Sequence, residues 1–104
     1  MVFATVTTAN AGNEPLENGT IIAEEMERWL RELDGFQGLL LLANEEHAIG
    51  ITFWSSREVA ERNASLRTTF RERVLSLAGI PIADVADYDV AFARFAPGFS
   101  APAA

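Results

Sequence analysis

The chain has 104 residues, a formal net charge of −7, 49% hydrophobic residues and no cysteine, a length and balance that support one domain with a real core. All eight basic residues are arginines (Arg28, Arg31, Arg57, Arg62, Arg67, Arg71, Arg73, Arg94), so lysine Schiff bases and thiolate chemistry are both excluded, and His47 is the one imidazole. The acidic balance argues against nucleic acid and anionic membranes as partners. No apolar run approaches the ~20 residues of a membrane span. The segment MVFATVTTAN lacks the basic start and long apolar centre of a signal peptide, and a cytoplasmic location is expected.

Residues 2–8, VFATVTT, are rich in β-branched side chains and predict a first strand. Ala9 to Gly19 collects Asn, Gly and Pro and is expected to be a loop, with Thr20 capping the next element. From there Ile22, Met26, Trp29, Leu30 and Leu33 recur on one helical face, and Asp34-Gly35 ends the helix. Phe36–Leu42 and Ala48–Trp54 are short apolar runs joined by a polar connection of hairpin length, Ala43 to His47. Ser55 and Glu58 have capping-box spacing at the head of a second helix. That helix carries Val59, Leu66, Phe70, Val74 and Leu77 on one stripe and stops at Gly79. Asp84 to Phe95 predicts a fourth strand, clearest from Tyr88 onward. The domain is expected to span 1–95, with 96–104 as a flexible C-terminal tail.

Strand, helix, strand, strand, helix, strand is the α+β, ferredoxin-like βαββαβ order: a four-stranded antiparallel sheet with two helices on one face. The other face of such a sheet normally turns polar. Here neither register supplies a polar face: Val2, Ala4 and Val6 oppose Phe3, Thr5 and Thr7, and Ile49, Ile51 and Phe53 oppose Ala48, Gly50, Thr52 and Trp54. Four strands spaced ~4.8 Å apart and ~20 Å long present about 380 Å² of projected surface. A monomer rarely leaves that much apolar area open, so a homodimer through the sheet face is expected.

With this layout, the chain resembles the dimeric α/β-barrel superfamily, in particular the small antibiotic-biosynthesis-monooxygenase-like (ABM-like) domains. The residues that carry the resemblance are Gly35-Phe36-Gln37-Gly38, the hairpin leading to Ile51-Thr52-Phe53-Trp54-Ser55-Ser56-Arg57-Glu58, and the Tyr88-Asp89-Val90 strand. It covers roughly residues 2–95 at the level of element order. Haem-degrading members use an Asn on the first strand and a Trp and a ligating His on the second helix. Here the first strand offers Thr5, Thr7 and Thr8, Asn10 lies beyond its end, and Asn63 and Arg73 stand at the Trp and His positions, so haem degradation of that type is not expected. Quinone-forming members use Asn, Trp, Tyr and Arg around a phenolic substrate without metal or flavin. Those residue types occur here as Asn63, Trp29 or Trp54, Tyr88 and Arg67.

The ligand-pocket candidates are Asn63, Arg67, Trp29 and Phe70. At roughly 100° per residue from Val59 the helical stripe centres near about 15°, and Asn63, at about 40°, faces the sheet. An amide there bonds either to a strand residue or core water, or to a bound ligand. Arg67 lies at the edge of the stripe, where it either pairs along the helix surface or reaches over a pocket mouth to hold a carboxylate or phenolate. Trp29 and Trp54 fit core positions as well as ligand contacts, and Phe70 would pack a ring. His47, in the hairpin turn beside Glu45 and Glu46, has neither a nucleophile partner nor metal-ligand spacing. The resemblance implies cofactor-independent monooxygenase chemistry on a small aromatic or polyketide-like molecule, with no cofactor. A non-catalytic small-ligand-binding or structural homodimer, and a subunit closing onto a different partner, stay open.

Overall fold

The computed structural model describes residues 2–10, 16–77 and 82–99; the side chains of residues 16–20, 22, 70, 71 and 73–77 lie outside that description. The elements in chain order are β1 (Phe3–Ala9), α1 (Leu16–Leu30), β2 (Phe36–Ala43), β3 (Ala48–Trp54), α2 (Arg57–Arg62), α3 (Ala64–Leu77) and β4 (Ile82–Asp89). The strands form one antiparallel sheet in the order β2-β3-β1-β4, the ferredoxin-like arrangement that the element order predicts.

Register decides which side chains share a face. Phe3 stands opposite both Trp54 and Asp89, and Thr5 opposite both Thr52 and Asp87. The helices cover this side. Phe3, Leu30, Trp54 and Ala60 are buried together, with Met26, Trp29, Leu33, Phe36 and Val59 packed against them. Trp54 is fully enclosed, and the Phe36 ring meets it edge-on at 5.8 Å between centroids. Burying each such large side chain contributes about 1.5–3 kcal/mol. The other face carries Ala4, Val6, Ile49, Ile51, Phe53, Leu40, Leu42, Ala86 and Tyr88, and its register pairs Thr8 with Asp84. No described element lies over it, and Leu42 and Tyr88 are left exposed.

Several element boundaries differ from the sequence expectation. The first helix begins at Leu16, inside the stretch expected to be a loop, and ends at Leu30 rather than at Leu33. The helix tolerates Gly19, whose weak propensity (about 1 kcal/mol relative to Ala) is outweighed by its neighbours. Past Leu30 the chain tightens into three-residue turns, with Leu33 N–H donating to the Leu30 carbonyl at 2.9 Å, and so keeps Leu33 on the core. The second helix is two helices. Ser56 rather than Ser55 caps α2, accepting from the Val59 N–H at 3.2 Å, and Asn63 (φ −97°, ψ 7°) ends it.

The fourth strand runs from Ile82 to Asp89, not from Asp84 to Phe95. Its partner β1 runs out: Phe3 pairs with Asp89, and the Val90 N–H takes the Val2 carbonyl at 2.8 Å as the final bond. Without a neighbour the aromatic residues beyond cannot form a ladder. Phe92 is exposed, and Phe95 stacks on Phe99 at 4.9 Å.

Gly35 links α1 to β2 with φ +81°, a left-handed conformation open to glycine. A Cβ there would collide with Val59 Cγ1 and approach Ser55 Oγ to 2.9 Å. Gly98 has the same φ and nothing within 4 Å of a built Cβ. Gly35→Ala should therefore lower unfolding free energy by about 2–4 kcal/mol and Gly98→Ala by about 1 kcal/mol or less, as urea denaturation followed by circular dichroism will measure.

Candidate functional site

The break at Asn63 resets the helical phase. Leu66, expected on the buried stripe, is 55% exposed, while Arg67 turns inward over the sheet. Its guanidinium carbon lies 5.3 Å from the centroid of the Trp54 ring, and Nη1 donates to Thr5 Oγ1 at 2.8 Å. Thr5, a residue only 2% exposed, donates its hydroxyl in turn to Asp87 Oδ1 at 2.9 Å. A chain of two hydrogen bonds thus crosses from α3 to the central strand and out to the edge strand. It begins half-buried at a cation and ends exposed at a carboxylate.

Strand pairing builds this row. Because Thr5 and Asp87 are opposite one another, their side chains leave the sheet on the same side. One step along, Phe3 and Asp89 repeat the geometry with Arg57: its guanidinium lies 5.2 Å from the Phe3 ring and meets Asp89 Oδ2 at 3.2 Å. That outer row is solvent-exposed, and a pair of this kind contributes little, 0–1 kcal/mol at most by the usual ~1 kcal/mol ceiling. The inner row stands on a buried hydroxyl. On the same face Val85 is also exposed, so the helices leave the β4 margin open beside Asp87.

The four pocket candidates separate in space. Arg67 joins the polar row. Asn63 turns its amide nitrogen to two backbone carbonyls, Val59 O at 3.1 Å and Asp34 O at 3.2 Å, closing α2 and fastening it to the α1–β2 turn. Trp29 packs against the core cluster from α1. Phe70 lies on α3, and its side chain is outside the described ones, as are those of Val74 and Leu77. His47 sits at the β2–β3 turn, held through its backbone by Asn44 Oδ1 at 2.8 Å, with Nδ1 3.9 Å from Glu46.

Sequence reasoning missed Thr5 and Asp87. The available signal was a threonine on the face that Phe3 and Trp54 share, since a hydroxyl among aromatics must find partners. The partner could not be named without the β1–β4 register. One further buried polar atom stands out: Trp54 Nε1 has no hydrogen-bond partner among the described residues. Leaving such a donor unsatisfied costs about 1–3 kcal/mol. Chemically, the row offers a fixed cation, an aromatic face, and a carboxylate able to take a proton at the open margin. Among the described residues no group of three or more His, Asp or Glu side chains could hold a metal, and no helix is long and apolar enough to cross a membrane.

Solved structures share this architecture. A Deinococcus radiodurans protein provisionally assigned as an antibiotic biosynthesis monooxygenase superposes with a TM-score of 0.66 at 17% identity, over 94% of this chain and 100% of that one. A monooxygenase from the gene ActVA-Orf6 of Streptomyces coelicolor, in complex with the ligand Nanaomycin D, gives 0.64 at 16% identity, over 90% and 91%. SnoaB, a cofactor-independent oxygenase from Streptomyces nogalater, gives 0.60 at 16% identity, over 94% and 97%. No family model and no curated protein matches the chain. At these identities the likeness establishes the fold alone, the ferredoxin-like α+β arrangement that these antibiotic biosynthesis monooxygenase structures share with this chain.

Thr5→Val keeps the shape of the side chain and removes both of its hydrogen bonds, leaving Arg67 Nη1 and Asp87 Oδ1 without Thr5. It should lower unfolding free energy by about 1–3 kcal/mol, and Thr5→Ser by less, in parallel urea titrations.

Proposed function

We propose that this chain binds a small aromatic or polyketide-like molecule between α3 and the sheet, at Arg67, Thr5 and Asp87, and oxygenates it without a cofactor. The carrying observation is the inward guanidinium of Arg67, placed over an indole face and anchored on a buried hydroxyl. A helix-surface arginine needs no such setting. A planar ring with an acidic hydroxyl suits it: the oxyanion takes the guanidinium, and the exposed Asp87 carboxylate receives the proton.

Such an anion is electron-rich enough to react with oxygen directly. Proton loss from a ring methylene, one electron passed to O2, recombination at that carbon and loss of water convert CH2 and O2 into C=O and H2O. One oxygen atom enters the product, the other leaves as water, and the substrate supplies both electrons that a cofactor would bring. The protein supplies orientation and charge stabilisation. The fold shared with a cofactor-independent oxygenase supports this reading.

The same reading sets a second copy of the chain against the helix-free sheet face. Ile49, Ile51, Phe53, Leu40, Leu42 and Tyr88 meet there, an apolar surface that an isologous two-fold contact closes. A rival reading, a non-catalytic ligand-binding or structural homodimer, draws on one observation. Asn63, a residue type that the quinone-forming enzymes use, here serves the backbone.

The test uses 1,8-dihydroxyanthrone, a phenolic ring ketone with one reactive methylene. The expected result is 1,8-dihydroxyanthraquinone formed above the buffer rate with one O2 consumed per product, and a fall in kcat/KM of roughly 10²–10³ for Arg67→Gln. Saturable binding without turnover selects the non-catalytic reading; absence of binding overturns both. Light scattering should give twice the mass of the 11.4 kDa chain, and Ile51→Glu should yield monomer.

A further inference from the structure

We infer that residues 90–95 are an exchange arm, which adds as a further strand to the outer edge of β2 in a second copy of this chain. The inference goes beyond the function proposed above and takes one point from it, that the partner is a second copy. The Val90 N–H makes the last ladder bond, to the Val2 carbonyl at 2.8 Å, and beyond it no described strand lies alongside. The segment nevertheless keeps the form of a strand. The Arg94 guanidinium carbon stands 5.5 Å from the centroid of the Phe92 ring, the same-side contact that extended backbone gives residues two apart. A built turn then stops it. Phe99 N–H donates to the Ala96 carbonyl at 3.0 Å around Pro97 and Gly98, whose φ of +81° is what a type II turn requires, and Phe95 stacks on Phe99. A strand shaped in advance loses little freedom on pairing. Phe92, 77% exposed, is a large apolar side chain that such pairing covers.

Charge and topology choose the edge. β2 and β4 are the two margins of the sheet. A second copy's arm laid along β4 would bring its own Asp87 and Asp89 against Asp84, Asp87 and Asp89. β2 is eight residues without a charge, and among the described residues no strand lies beside its outward N–H and C=O groups. The six arm residues, about 20 Å when extended, fit within its length. Within one chain β3 and β1 separate β4 from β2, so the arm meets that edge on another copy. Arg94, the one charged residue of 90–99, brings a cation to a chain of net charge −7. Main-chain hydrogen bonds supply the affinity, as strand addition does elsewhere. A two-fold exchange occupies both arms and both β2 edges, and so closes at two copies.

The experiment is a half-filtered nuclear Overhauser spectrum of the full chain, reassembled from 13C,15N-labelled and unlabelled copies, which reads contacts between copies alone. The expected result is cross-peaks between residues 90–95 of one copy and residues 39–42 of the other. Phe92→Pro and Ala93→Pro remove adjacent amide donors that face opposite ways. Both should leave the circular dichroism unchanged, and at least one should raise the dimer dissociation constant by about tenfold or more, the change that losing one hydrogen bond brings. Cross-peaks between copies from Ile51 and Phe53 alone, cross-peaks joining the arm to β4, or proline variants that both dimerise as tightly as the unmodified chain overturn this inference and leave the sheet-face contact standing. A chain that is monomeric by light scattering overturns both.

Discussion

A hydroxyl buried on a central strand has to be satisfied from within the protein, and the placement of Thr5 governs much of this molecule. β1 lies between β3 and β4, and its helix-face side chains Phe3 and Thr5 are buried. Thr5 accepts from Arg67 and donates to Asp87, meeting the polarity of its oxygen on both sides. That single residue therefore fixes how deep α3 sits and in which register β4 adds to the sheet. A slip of β4 by one residue would send Asp87 to the other face and leave the hydroxyl without its acceptor. Phe3 holds the neighbouring position by packing alone, with Arg57 and Asp89 completing the row in solvent.

The layout was legible because hydrophobic periodicity reports directly on faces. The β3 alternation, with Ile49, Ile51 and Phe53 against Thr52 and Trp54, survives in the register as read. The hairpin was equally plain, since Asn44 folds its own side chain back onto the Glu46 and His47 N–H groups. Ends of elements were harder. Tyr88 to Phe95 has every local mark of a strand, yet a strand exists only where a neighbour exists, and β1 stops first. The Asn/Gly/Pro stretch concealed the start of α1 because turn-forming composition and helix starts overlap in residue type.

The candidate site was half legible. Arg67 could be picked from its place at the edge of a stripe, but its direction depended on a break one turn earlier that periodicity assumes away. Asn63 supplies that break: its amide competes for the Val59 carbonyl and ends α2, so the inward side passes from Leu66 to Arg67. Asn63, expected to bond either within the core or to a ligand, bonds backbone carbonyls and thereby aims another residue. Solved structures with below 20% identity to this chain hold the same fold, and the layers of sheet and helix recur while the side chains between them change.

The two margins of the sheet are chemically unlike. β4 presents Asp84, Asp87 and Asp89 along its length, and negative charge at that spacing repels any second strand laid beside it. β2, at the opposite margin, is a leucine run without a charged side chain, interrupted only by the bulge between Phe36 and Gly38. Its outer amides and carbonyls are the template on which stray β-rich chains would nucleate. The leucine margin is therefore the side of the sheet that charge leaves unguarded, and among the described residues of β2 the bulge is what interrupts its regular edge.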